Sequence, residues 1–169
     1  MKKLIVALFM AGAVAICYTA PVSAFELTVA PNYGAVLHPD SAGDGGLGYT
    51  GRLLLAGSMF ANYEVGFESG QFALEDDVFL VPITAVLRYN FYALGDIKPY
   101  LQTTAGVFYS DDTDKGYFGT TAGLGARMVS SGLPFFFDTL LRGSFVFSDD
   151  FEDDMLAMLH IGFGLGLKF

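Results

Sequence analysis

Cysteine is almost absent from this chain: there is one, Cys17, close to the N-terminus. With a single cysteine no internal disulfide can form, and the fold must be held by other means. Tryptophan is missing and histidine occurs only as His38 and His160. Positive charge is also scarce, with 9 Lys and Arg against 18 Asp and Glu and a net charge of −9, which excludes nucleic acid as a partner. Long hydrophobic runs are the most informative absence. The chain is 53% hydrophobic, yet past residue 24 nothing approaches the ~18 consecutive apolar residues of a membrane-spanning helix. The apolar residues are plentiful but spread out.

The one apolar run is N-terminal. Lys2 and Lys3 precede Leu4 to Ile16, and small residues close the stretch at Val22-Ser23-Ala24. That is the order of a cleavable secretory signal, too short to span as a helix. We therefore divide the chain into a signal peptide, 1–24, and a mature region, 25–169. Cys17 leaves with the signal; as a lipidation site it fits poorly, because the bulky Ile16 precedes it.

What remains is rich in Gly (21), Phe (17) and Tyr (9), residues of strands and tight turns. Nearly every segment splits into two alternating tracks. In VFLVPITAVLRYNF, Phe79, Val81, Ile83, Ala85, Leu87, Tyr89 and Phe91 alternate with Pro82, Thr84, Arg88 and Asn90. FELTVAPNYGAVL, ANYEVGFE, KPYLQTTAGVFY, YFGTTAGLGARM and FFFDTLLRGSFVF read the same way. Only LGYTGRLLLAGSM blurs, because Leu53 to Leu55 occupies both tracks. A period of two is the strand signal. HPDSAGDGG, SGQFALEDD, SDDTDKG and SDDFEDD read as four acidic loops. Links near Phe60, at ALGDI and at SSGLP read as short turns on the opposite side. The expected fold is all-β: an eight-stranded antiparallel up-and-down transmembrane barrel. A sheet in lipid must close, since an open edge leaves backbone groups unsatisfied.

Aromatic residues gather towards strand ends, as interfacial girdles do: Tyr63, Tyr89, Phe91, Phe135 and Phe137 near the turns, and Phe67, Phe79, Tyr109, Phe118 and Phe147 near the loops. The chain ends HIGFGLGLKF, with Ile161, Phe163, Leu165, Leu167 and Phe169 alternating against His160, Gly162, Gly164, Gly166 and Lys168. Here, and in KPYLQTTAGVFY, it resembles the small outer-membrane β-barrel proteins of the OmpA/OmpX type. The resemblance covers the whole mature region and fixes a class rather than a member. It implies a bacterial outer-membrane location with periplasmic termini and extracellular acidic loops. It also implies a C-terminal assembly signal at Phe163, Leu165, Leu167 and Phe169, read by the barrel assembly machinery. Outer-membrane lipid and lipopolysaccharide would be its other partners, and a monomer its expected state. No peptidoglycan-binding domain follows the barrel, so that role of OmpA itself has no support here.

The inward track carries Arg52, Arg88, Arg127, Arg142 and Lys168 against Glu26, Glu64, Glu68 and Asp138. Arg52 and Glu68 are equidistant from the turn at Phe60, and Arg127 and Asp138 flank SSGLP. Glu26 and Lys168 lie on the two strands that close the barrel. These spacings predict three ion pairs in a lumen that eight strands make narrow, hence a plugged core. The leading expectation is a non-enzymatic structural or surface-interacting barrel with no cofactor. Two alternatives stay open. One is a small-solute channel; the other is a lipid-modifying enzyme using Ser144 and His160, a pair whose parity places it inside the barrel. Asp149, Asp150, Glu152, Asp153 and Asp154 are weak candidates for a divalent cation, without the spacing of a known calcium loop. A water-soluble barrel of the lipocalin kind would instead turn the charges outward.

Overall fold

The computed structural model describes residues 22–37, 45–57, 62–75, 78–110, 114–129, 132–148 and 155–169. Among these residues no helix is long and apolar enough to cross a membrane. All the regular structure is strand: β1 (Val22–Val36), β2 (Gly45–Gly57), β3 (Tyr63–Glu75), β4 (Val78–Asn90), β5 (Ile97–Ser110), β6 (Lys115–Val129), β7 (Phe135–Phe147) and β8 (Met155–Lys168). Each strand pairs antiparallel with the next, and β1 pairs with β8 to close the barrel.

The register fixes the barrel's shape. Partners followed once around run from Glu26 through Leu54, Gly66, Val86, Thr104, Thr121, Ser144 and Met158. The path returns to β1 at Val36, ten residues beyond its start. With a rise of ~3.3 Å per residue and ~4.8 Å between strands, that stagger tilts the strands by about 40°. Strands of 13 to 15 residues then stand about 33–38 Å tall, enough to cross the ~25 Å apolar band of a membrane barrel.

The links are shorter than the sequence suggests. Residues 69–75 of SGQFALEDD belong to β3, leaving residues 76 and 77 as its connection to β4. Ser110, Lys115 and Gly116 of SDDTDKG are likewise in strands. Polar residues there pair in the ladder as readily as apolar ones, and composition alone hid the continuation. One consequence is that Phe67 lies well inside β3 rather than at its loop end. Leu53 and Leu54 follow strand parity, Leu53 exposed and Leu54 buried in the lumen, while Leu55, outward by parity, is also buried. β1 begins at Val22, within the stretch read as signal; residues 1–21 lie outside the described residues.

The outer wall is apolar. Leu27, Val29, Ile83, Leu87, Leu101, Leu141, Leu159 and Ile161 all point outward and are exposed, with Phe137 at 66% and Phe163 at 61%. Tyr63 meets Tyr89 at 5.0 Å between ring centroids, and Tyr89 meets Phe91 at 5.2 Å near the turns; Phe118 and Phe147 stack at 6.5 Å near the loops. Arg52, Arg88, Arg127, Arg142, Glu26, Glu64, Glu68 and Asp138 are all buried. That polarity is the reverse of a soluble barrel.

One seam is incomplete. The β1–β8 ladder runs to Val29↔Leu165 and resumes at Asn32↔Gly162, while β1–β2 pairing continues unbroken through Pro31↔Tyr49. The gap falls at Pro31, which has no N–H to give β8. Pro31→Val should supply that donor, worth about 1 kcal/mol, and slow barrel unfolding by roughly fivefold. Decay of the folded gel band at elevated temperature measures it. Unchanged decay would mean that the gap has another cause.

Candidate functional site

The lumen is the only place where this chain concentrates charge among the described residues, and alternation puts it there. Every inward position of a strand faces the interior of a narrow barrel, so four arginines and four carboxylates from six strands converge. Burying them unpaired would be costly, and close pairing offsets that cost.

The three facing pairs expected from spacing are cross-strand neighbours: Arg52↔Glu68, Arg127↔Asp138 and Glu26↔Lys168. The side chains extend further than pairwise spacing suggests. Arg52 Nε lies 3.6 Å from Glu68 Oε2, while Arg52 Nη2 crosses the lumen to Asp138 Oδ1 at 2.7 Å. Arg142 pairs with Glu68 from the other side. Arg127 turns away from Asp138 and donates to Glu26 Oε1 at 2.6 Å and Glu64 Oε2 at 3.0 Å. Asp138 instead takes Arg52, with Arg88 Nη2 at 3.7 Å. Lys168 Nζ reaches Glu26 Oε1 at 3.8 Å from the rim, where its side chain is 49% exposed. The Arg127–Asp138 pairing is therefore corrected: long guanidinium arms reach across a narrow lumen to partners other than the residue directly opposite.

Arg88, Tyr100 and Gln102 sit at the centre, and sequence reasoning gave none of them a partner. Gln102 Oε1 accepts from Arg52 Nη1 at 2.9 Å and from Arg88 Nη2 at 3.0 Å. Tyr100 donates its hydroxyl to Asp138 Oδ1 at 2.7 Å, and the Arg88 guanidinium lies 4.0 Å above the Tyr100 ring. Arg88 also meets Glu64 at 3.5 Å and Glu26 at 4.0 Å. The result is one continuous network from Arg142 to Lys168, filling the turn-side half.

The loop-side half is filled differently. Phe72, Leu80, Phe108, Tyr117, Val146 and Met158 form a buried apolar cluster, with Val36 and Leu156 against it. Phe72 packs on Phe108 at 5.9 Å and on the His160 ring at 4.4 Å. Sequence reading missed this plug because it placed Phe72 in a loop; extending the two-residue parity of ANYEVGFE onward would have pointed Phe72 inward. Ser144 and His160 are both buried here, and neither the Ser144 hydroxyl nor either His160 nitrogen has a hydrogen-bond partner. Asp149, Asp150, Glu152, Asp153 and Asp154 lie outside the described residues. On β8, Phe163 and Leu165 face outward and Leu167 is partly covered; Phe169, just past its end, is exposed.

Fold, outer wall and buried charge together define a small eight-stranded β-barrel of the outer-membrane kind. The crystal structure of Neisserial surface protein A matches at a TM-score of 0.70 and 13% identity, over 87% of this chain and 99% of that one. The N-terminal β-barrel domain of Pseudomonas aeruginosa OprF matches at 0.54 and 14%, over 85% and 97%. Outer membrane protein AlkL, solved in lipid bilayers, matches at 0.51 and 14%, over 89% and 92%. No family model matches the sequence. No curated protein matches it either.

Proposed function

We propose that this chain is a non-enzymatic protein of the bacterial outer membrane, exported by its N-terminal signal and structural or surface-interacting in role. The observation that carries this is a lumen closed twice, by the ion network on the turn side and by the Phe72–Phe108 cluster on the loop side, inside an apolar outer wall. A channel needs a continuous polar bore, and neither half provides one. A lipid-modifying enzyme needs its nucleophile at the lipid-facing wall, whereas Ser144 and His160 are interior. The start of β1 and the end of β8 lie at the turn end, which would place that end in the periplasm and the acidic links outside the cell.

Two measurements test the proposal. The mature region refolded in detergent should run faster on SDS gels unboiled than boiled, because a closed membrane barrel resists SDS. A single band, from protein soluble without detergent, would refute membrane insertion. In planar bilayers the same material should give no steady single-channel openings. Reproducible openings of one size would establish the transport reading instead.

A further inference from the structure

Positive charge is scarce in this chain, but three cations meet at the turn-side mouth of the barrel. Lys98 on β5, Arg127 on β6 and Lys168 on β8 line a partly open hollow of about 30 Å³. Cross-strand register places Lys98 beside Arg127 and Lys168 beside Glu26. Among the described residues Glu26 is the only carboxylate lining the hollow, and its Oε1 already holds Arg127 at 2.6 Å, with Lys168 at 3.8 Å. Lys98 has no ion-pair partner among the described residues. Arg127 is 4% exposed, and its Nε lacks a hydrogen-bond partner. Arg127 Nη2 is also held by Glu64 Oε2 at 3.0 Å, so three cations stand against two carboxylates and the surplus positive charge falls on Lys98.

The other wall of the hollow is apolar. Leu133, Pro134 and Phe135 form it, and Leu133 and Phe135 are themselves exposed on the outer, lipid-side surface. The turn that carries them is tied down: Lys168 N donates to Pro134 O at 2.8 Å, and Val129 N donates to Asp96 O at 2.9 Å. A cationic cradle beside exposed apolar residues at the interface suits an anion attached to a hydrocarbon chain. The hollow admits an anion's leading oxygens, and the rest stays outside.

We propose that this mouth binds a phosphate group, and that in the membrane the phosphate is the diester headgroup of a phospholipid in the leaflet at the turn end. Lys98 and Lys168 supply point charges to its oxygens, and Leu133 and Phe135 meet its acyl chains. The lipid source rests on the membrane reading above; the phosphate chemistry does not.

The test uses the refolded protein in maltoside micelles, which contain no phosphate. Dihexanoyl phosphatidylglycerol and inorganic phosphate are titrated separately, and backbone amide shifts are followed at Lys98, Gly132, Leu133 and Lys168. Saturable shifts with the lipid are expected, weakened roughly fivefold by each of Lys98→Gln and Lys168→Gln. Lys115→Gln, at the opposite end of β6, should leave them unchanged. Saturation with both ligands supports a phosphate site, and saturation with inorganic phosphate alone overturns the lipid source. No saturation with either, or shifts indifferent to both lysine substitutions, overturns the site. The unboiled gel band reports on the membrane reading separately. Absence of shifts in protein that keeps that band sinks the phosphate site alone. Protein without the band that still saturates with inorganic phosphate keeps the anion site and loses the lipid.

Discussion

Replacing Arg52 with methionine should destabilise the barrel by about 3–5 kcal/mol, the cost of breaking a buried ion pair and leaving a charge behind. Arg52 is buried and joins Asp138, Glu68 and Gln102 across the lumen. Methionine fills much of its length but answers none of those acceptors. Asp138 would keep Tyr100 and the more distant Arg88, and Glu68 would keep Arg142, so the loss is large but does not empty the network. Asp138→Asn in the same chain removes the stranded charge and should recover at least half of the loss. Urea unfolding followed by the unboiled gel band measures both. If the single substitution costs less than 1 kcal/mol, the network is hydrated rather than dry. If the double variant is no better than the single, the cost is one of packing and not of charge.

The same variant separates the lumen's two closures. Arg52 belongs to the ionic half; Phe72 and Phe108 close the other half without it. Arg52→Met should therefore still give no steady conductance. Openings in this variant would show that the ion network alone seals the barrel.

The alternation made the barrel legible from sequence, because a strand in a closed sheet has only two faces and a membrane makes them opposite in polarity. VFLVPITAVLRYNF needs no tertiary information to place Arg88 inside and Leu87 outside. Facing residues near a turn were legible for the same reason: a short connection sets the register, so Arg52 faces Glu68, while Glu26 faces Lys168 because closure brings the first and last strands together. Contacts across the lumen were not. Arg52 and Asp138 lie on strands that are not hydrogen-bonded to each other, and their meeting depends on the stagger of the whole barrel. Arg127 likewise passes over its neighbour Asp138 for Glu26 and Glu64. The loop-side plug was hidden for a different reason: the acidic residues at the end of SGQFALEDD outweighed the parity that points Phe72 inward.

The glycines of the inward track make room for aromatic rings, and this predicts an effect comparable in size to the loss of Arg52. Gly125 pairs with Tyr100 across β5 and β6. A Cβ at Gly125 would fall 2.2 Å from Tyr100 Cζ, 2.4 Å from its hydroxyl oxygen and 2.5 Å from Thr139 O, so Gly125→Val must drive the ring aside and crowd the β7 backbone. The displaced ring gives up its 2.7 Å bond to Asp138 and its place beneath Arg88. Overpacking costs about 1–3 kcal/mol, and a lost hydrogen bond to a charged group about 1.5–3 kcal/mol; a combined loss of about 3–5 kcal/mol is expected. Gly143, facing outward, has only a Phe145 ring carbon at 3.9 Å from such a Cβ, and Gly143→Val should change stability by less than about 0.5 kcal/mol. The two valines add the same volume to neighbouring strands and differ in the face they enter. In a Tyr100→Ala background the ring is gone while the Thr139 carbonyl oxygen remains, so Gly125→Val should cost about 1–3 kcal/mol, less than in the parent. Additive losses in that double variant would show that the strand itself, and not the ring, requires glycine.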